Sequence, residues 1–153
     1  MKKILICILA ICLIVAVLPS RAYAVTENAQ TIKLENGHYQ IVTIEYAEII
    51  AGIKSSTTSG TKTIREYDAF NNLVWTATLS GTFTYDGTSA MATNSSLTVS
   101  ISNSNYYLVS KSAYTSGDTA YGDFTVGHKV LGVTISTSSE SLTLTCDANG
   151  NLS

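Results

Sequence analysis

The chain has 153 residues, of which only 13% are charged, and a formal net charge of −2. Such a balance excludes recognition of nucleic acid or anionic membrane through an overall positive field. The length is that of one domain, and the two isolated histidines lack the paired spacing of a metal-ligand cluster.

In chain order, the first 24 residues read as a secretory signal peptide. Lys2 and Lys3 precede an apolar run from Ile4 to Leu18, then come helix-breaking Pro19 and an Ala22-Tyr23-Ala24 ending of small-x-small type. The run is too short for a comfortable membrane span. Export and cleavage after Ala24 are expected, with no membrane span afterwards. From Val25 on there are 129 residues with six basic and eleven acidic side chains, a net charge of −5. Lipid attachment at Cys12 is disfavoured by bulky Ile11 before it. Cys7 and Cys12 leave with the leader, so Cys146 remains as an odd thiol, either buried and inert or bonded to another chain.

Past Val25 the apolar residues recur with period two, the mark of strands with one face on a core. Residues 25–53 read as an N-terminal β-hairpin region, with Asn36-Gly37 turning Thr31–Glu35 into His38–Tyr46. Glu48 to Ile53 is ambiguous between strand and a helical turn. Residues 54–63, rich in Ser and Thr, read as a flexible connector. Residues 64–153 read as a β-sandwich domain.

Within it, Asn71-Asn72 joins Lys62–Ala69 to the clearest strand, Leu73 to Tyr85. There Leu73, Trp75, Ala77, Leu79, Gly81, Phe83 and Tyr85 share one face, and Gly81 is a place for a bulge or bend. Asp86-Gly87 leads into Thr88–Thr93, and Asn94-Ser95 into Leu97–Ile101. Ser102–Asn105 precedes Tyr106–Lys111, and Ser116-Gly117-Asp118 precedes Thr119–Val126. Ala120, Gly122, Phe124 and Val126 share parity, but Leu131, Val133 and Ile135 are out of phase with them. A bulge or tight turn is therefore required between Gly127 and Gly132. Ser138-Ser139 is expected to join Leu131–Thr137 to Ser141–Cys146. About nine short strands point to an all-β antiparallel β-sandwich, immunoglobulin-like in the loose sense, with a small β-barrel as the alternative. No convincing internal repeat is present.

The segments Gly81-Thr82-Phe83-Thr84-Tyr85-Asp86-Gly87-Thr88-Ser89-Ala90, Val130-Leu131-Gly132-Val133, and Leu142 to Cys146 with Gly150 to Ser153 carry a resemblance. Across them the stretch from Gly60 to Ser153 resembles small secreted all-β proteins of Gram-positive, Clostridium-type bacteria. The resemblance implies secretion and an all-β fold, and no activity. In several of the relatives a second cysteine follows the Ser-Ala pair. Here Met91 and Ala92 stand there, so the resemblance implies that Cys146 has lost its partner.

Catalytic chemistry finds little support. His38 flanks a turn and His128 lies at the phase break, and both read as surface loop residues. Asp123 and many serines are near, but no Gly-x-Ser-x-Gly elbow presents a nucleophile. A hydrolase would need His38 or His128 within hydrogen-bond reach of a serine or carboxylate in a pocket. Glu45 with Glu48, or Glu66 with Asp68, read as solubilising charge rather than a glycoside-cleaving pair. Asp86 and Asp118 read as turn formers rather than calcium ligands. No catalytic residue, metal or cofactor is assigned.

Tyrosine is the stronger surface signal. Tyr106 and Tyr107 are adjacent, so in a strand one faces away from the core, and Tyr114, Tyr121 and Tyr67 are available to join it. A flat ring with a hydroxyl suits stacking on a sugar or anchoring an interface. Ser and Thr make up 39 of the 129 residues from Val25 on, which gives hydroxyl-rich strand faces. Lys54, Lys62 and Lys111 are the few charges able to discourage edge pairing. The expected function is non-enzymatic binding, at the cell surface or in the medium, of cell-wall or extracellular polysaccharide through Tyr106, Tyr107 and Tyr121. Self-association as a structural element is the alternative, and a hydrolase the third reading. The expected location is extracellular, with loose cell-wall association.

Overall fold

The period-two pattern becomes eight antiparallel strands in a computed structural model that describes residues 24–47 and 56–153. β1 (Ala24–Lys33), β2 (Tyr39–Ala47), β3 (Ser56–Tyr67), β4 (Leu73–Tyr85) and β5 (Ala90–Ile101) form a five-stranded sheet in that order. β6 (Tyr106–Ser116), β7 (Thr119–Val130) and β8 (Val133–Thr145) form a second sheet. The two apolar faces meet in a sandwich-like arrangement. Every hydrogen-bonded neighbour is also the neighbour in sequence, so the Greek-key crossing of an immunoglobulin sandwich is absent from the described residues.

The core follows from strand parity. β4 contributes Trp75, Ala77, Leu79 and Phe83, β5 contributes Ala92 and Leu97, and β7 and β8 answer with Ala120, Phe124, Val126, Leu142 and Leu144. Trp75 and Phe124 meet edge to face with centroids 5.1 Å apart, an arrangement aromatic quadrupoles favour. The sheets approach closely where side chains are missing. A Cβ at Gly122 would lie 3.0 Å from Leu79 and 3.1 Å from Leu97.

Strand limits correct several expectations. The stretch expected as a flexible connector is, from Ser56 on, the first half of β3, which lies between β2 and β4. The N-terminal hairpin therefore belongs to the same sheet as β4. Asn94-Ser95 does not turn the chain: β5 runs through it, and the irregularity is a bulge at Thr93, where Thr82 pairs Asn94 but Phe83 pairs Ala92. Ser95 is held there by its hydroxyl, which donates to the Tyr121 carbonyl at 2.9 Å. Ser138-Ser139 likewise lies mid-strand in β8. The phase break resolves into both devices at once. Leu131 (φ 49°) and Gly132 (φ 82°) make a two-residue turn between β7 and β8, and a register shift follows His128.

Two loops share one construction. Asp68 and Asp147 each receive the amide of the residue three positions on, while their own amides donate to the carbonyl four positions on. Their carboxylates accept from the backbone amides two and four residues ahead, at 2.8–2.9 Å. Asn71 and Gly150 supply the left-handed residue that such three-residue hairpins need. Asn36-Gly37 turns in the same way, with Gly37 at φ 81°, as a three-residue rather than a two-residue loop.

Lysine placement also departs from expectation. Lys62 is on β3, an interior strand, and protects no edge. Lys111, on edge strand β6, donates to the Leu97 carbonyl at 3.0 Å and so occupies an acceptor of the other sheet's edge strand, β5. Lys54 lies outside the described residues, as do Ala22, the rest of the expected leader before Ala24, and Glu48 to Ile53. Ala24 is the first residue of β1. Among the described residues no helix is long and apolar enough to cross a membrane.

Candidate functional site

The inner face changes character along its length. On β8, Leu142 and Leu144 are buried, but the same parity continues through Glu140, Ser138 and Ser136. On β7 it continues from Phe124 and Val126 to His128, and on β3 from Ile64 to Glu66. At this end the two sheets enclose a pocket of about 130 Å³. Glu66, Trp75, Tyr106, Val126, His128, Ser136, Ser138 and Glu140 line it, with Leu34 and Asn36 from the β1–β2 turn. Two wider surface hollows, of about 410 Å³ beside Met91 and about 440 Å³ beside Tyr39, gather fewer ionisable groups.

Glu66 is the anchor. It is only 7% exposed, and both carboxylate oxygens are engaged. His38 Nδ1 lies 2.8 Å from Oε1, and Gln40 Nε2 donates to Oε2 at 3.3 Å. The partners converge because Gln40 and Glu66 are paired across β2 and β3, and the Asn36-Gly37 turn returns His38 beside them. A buried carboxylate without such partners would be strongly disfavoured. A bulge at Val74, opposite the Glu66–Tyr67 step, keeps Trp75 on the same face as Glu66.

Glu140 faces this group from the other sheet. Burial pushes its carboxyl above the usual range, the Ser138 hydroxyl pulls it back, and the Glu66 charge raises it again. The nearby Gln40 amide, which hydrogen-bonds Glu66, also lowers it. Tyr106 and His128, direct cross-strand partners, stack with centroids 4.4 Å apart and planes 4° apart. Burial raises the Tyr106 hydroxyl, with the Glu66 and Asp68 charges adding to it.

The tyrosines singled out from sequence do not form one patch. Tyr106 faces the pocket, whereas Tyr107 faces away, its ring over Gly127 and its hydroxyl 2.8 Å from that of Thr134. Tyr121 stacks on Tyr114 at 4.9 Å on the outer face of β6 and β7, six residues along β7 from Gly127. Tyr67 stacks on Tyr39 on the other sheet. The histidines correct the surface-loop reading. His128 is a half-buried strand residue, and His38 is half-buried against a carboxylate. Neither histidine bonds a serine, so no serine-histidine pair is assembled among the described residues. Glu66 likewise corrects the solubilising-charge reading, while Asp68 belongs to its own turn.

Sequence reasoning missed Gln40, Glu66 and Glu140. A signal was present: Glu140 carries the parity of Leu142 and Leu144 backwards, and Gln40 that of Val42 and Ile44. Reading Ser138-Ser139 as a turn cut the first of these patterns. Cys146 is fully buried, and burial, with Asp147 and Asp118 adding, pushes its thiol up to about 11. That disfavours the reactive thiolate. Asp86 spends its carboxylate on Thr88 and Ser89 within its own turn. Among the described residues no cluster of three potential metal ligands occurs.

No protein-family profile matches the chain, and no curated protein or solved structure is detectably similar to it. The resemblance to small secreted Gram-positive proteins therefore rests on the quoted segments alone.

Proposed function

We propose that this is an extracellular, non-enzymatic binding protein that takes a hydroxyl-rich ligand, such as a sugar unit of cell-wall or other extracellular polysaccharide. The observation that carries the reading is the polar end of the inter-sheet space. Glu66 and Glu140 line it as convergent acceptors beside the Tyr106–His128 stack, with Gln40 holding Glu66 from behind. Carboxylates that accept from hydroxyls, next to an aromatic wall, are the usual chemistry of sugar recognition. This moves the binding surface expected at Tyr106, Tyr107 and Tyr121 to one that uses Tyr106 alone of the three. A two-sheet all-β fold and a secretory leader are compatible with it.

A hydrolytic reading has two specific observations in its favour. His38 is within hydrogen-bond reach of Glu66, and Glu140 is held toward its protonated, acid-donating form.

Co-sedimentation of the chain from Val25 on with bacterial cell walls and insoluble polysaccharides tests both. Saturable binding lost in Tyr106→Ala and Glu140→Gln, with both variants folded, is the expected result. No binding by wild type would overturn the polysaccharide reading. Release of reducing sugar that stops in Glu140→Gln would replace it with the hydrolytic one.

A further inference from the structure

The β7–β8 hairpin runs past the sandwich, and its end is apolar. Val130, Leu131, Val133 and Ile135 are 46, 99, 65 and 58% exposed. Other exposed large aliphatic or aromatic residues, such as Phe70, Met91 and Val109, stand singly. Leu131 is unfavourable on two independent counts. It occupies a left-handed conformation that Asn or Gly would adopt at lower cost, and it presents a whole isobutyl group to water. Strain and exposure at one residue indicate a contact that this chain does not itself supply.

We infer that this hairpin end inserts into the outer layer of a phospholipid bilayer. The shape favours a fluid partner over a second copy of the chain. Leu131 tops the turn, Val130 and Val133 face each other across it, and Ile135 is the extra residue of the bulge. These side chains gather at the tip of a two-residue turn, a small convex end rather than a broad face. The charges agree. Between Asp123 and Glu140 the only fully charged side chain is Lys129, one residue before Val130. At that depth its ammonium meets headgroup phosphates. Behind the apolar residues come the Thr134 and Tyr107 hydroxyls, in contact with each other, and tyrosine is a residue of membrane interfaces. From Lys129 to the turn is two to three residues, roughly 7–10 Å of strand, which matches the depth reached by interfacial elements. The net charge of −5 from Val25 on supplies no general attraction to anionic lipid. Binding therefore rests on apolar insertion and tolerates salt.

The test is sedimentation with sucrose-loaded vesicles of pure phosphatidylcholine, and of phosphatidylcholine with phosphatidylglycerol, at low and high salt. The chain from Val25 on is used, because residues 4–18 would bind lipid by themselves; it retains every described strand pairing except Ala24 with Ala47. A cooperative melt is checked first. Wild type is expected to bind both vesicles, with less than a twofold change between salts. Leu131→Asn and Val133→Thr/Ile135→Thr are expected to lose at least tenfold in binding, with Leu131→Asn melting no lower than wild type. Absence of vesicle binding, or binding that the variants retain, overturns the inference. So does concentration-dependent self-association that Leu131→Asn abolishes without any vesicle binding, since the partner is then a second copy. Failure here leaves the pocket reading untouched, because Glu140→Gln is expected to change polysaccharide binding and not vesicle binding.

Discussion

The two halves of the β7–β8 hairpin differ in everything but secondary structure. At the root, from Thr119 to Val126 against Ser138 to Thr145, alternate residues enter the core, and Phe124, Leu142 and Leu144 are almost wholly buried. At the tip, from Lys129 to Ile135, apolar side chains of similar size stand in water. The pairing continues through both halves, so backbone hydrogen bonding does not distinguish them. What distinguishes them is cover, because the root lies under β4 and β5 and the tip lies past them. Side-chain hydrophobicity therefore reports an interior only where a second surface exists. The polar pocket marks the border, with His128, Ser136, Ser138 and Glu140 placed where cover runs out.

The largest effect should come from emptying the root. Phe124→Ala removes a buried ring packed on Trp75 and is expected to cost about 3–5 kcal/mol, while Ile135→Ala at the tip should stay within about 0.5 kcal/mol. Urea melts of the two variants would measure the contrast, and equal losses would refute it. Leu131→Asn should shift stability the opposite way, gaining about 1 kcal/mol by relieving the left-handed leucine. An unchanged or lower urea midpoint would show that the turn is not strained.

The border should respond to pH. Glu140 has its folded-state pKa above the usual value of 4.5, so its ionised form opposes folding. That penalty is absent below the unfolded value and fully present above the folded one. Glu140→Gln should therefore raise the melting temperature at pH 7 by roughly 1–3 °C and leave it unchanged near pH 4. A variant that is less stable at pH 7 would mean that the carboxylate is needed ionised. The smallest effect belongs to the turns remote from the hairpin. Asp68, Asp86 and Asp147 are held below their usual value of 3.8 by their hydrogen bonds, Asp86 down to about 2. Their contribution is present above pH 4 and is lost as pH falls from about 4 to about 2. The triple Asp→Asn variant keeps the oxygen that accepts from the backbone amides, loses the second acceptor that takes the Asn72 and Asn151 side-chain amides, and should show a flatter melting-temperature profile across that window.

Much of the fold was legible because β4 alternates strictly from Trp75 to Tyr85, past the bulge at Val74, and the loops carry Asn and Gly where left-handed residues are required. The errors share a cause. Ser138-Ser139, Asn94-Ser95 and residues 56–63 are polar, and in sequence such polarity looks like a turn or linker. In fact they are strand residues whose hydroxyls bond across strands or sheets, such as Thr125 with Ser139 at 2.9 Å and Ser59 with Thr82 at 3.2 Å. The site was hidden for a related reason. Glu66, Gln40 and His38 are buried by pairing with one another, and a pairing between residues 28 apart leaves no local trace in sequence. Even the twin loops at Asp68 and Asp147 do not register as a repeat, because Asp68-Ala69 with Asn72 and Asp147-Ala148 with Asn151 match over only five residues.

Leu152 has a consequence for when the protein can finish folding. It pairs with Cys146 in a short return of the chain after β8, and its buried side chain packs on the bare backbone of Gly60 in β3. Each strand up to β8 can add to the one before it as the chain emerges. The centre of the first sheet, however, stays open over Gly60 until residue 152 has been delivered. Until then the apolar side chains gathered there lack their last partner, so the core is complete only with the Cys146–Leu152 pairing.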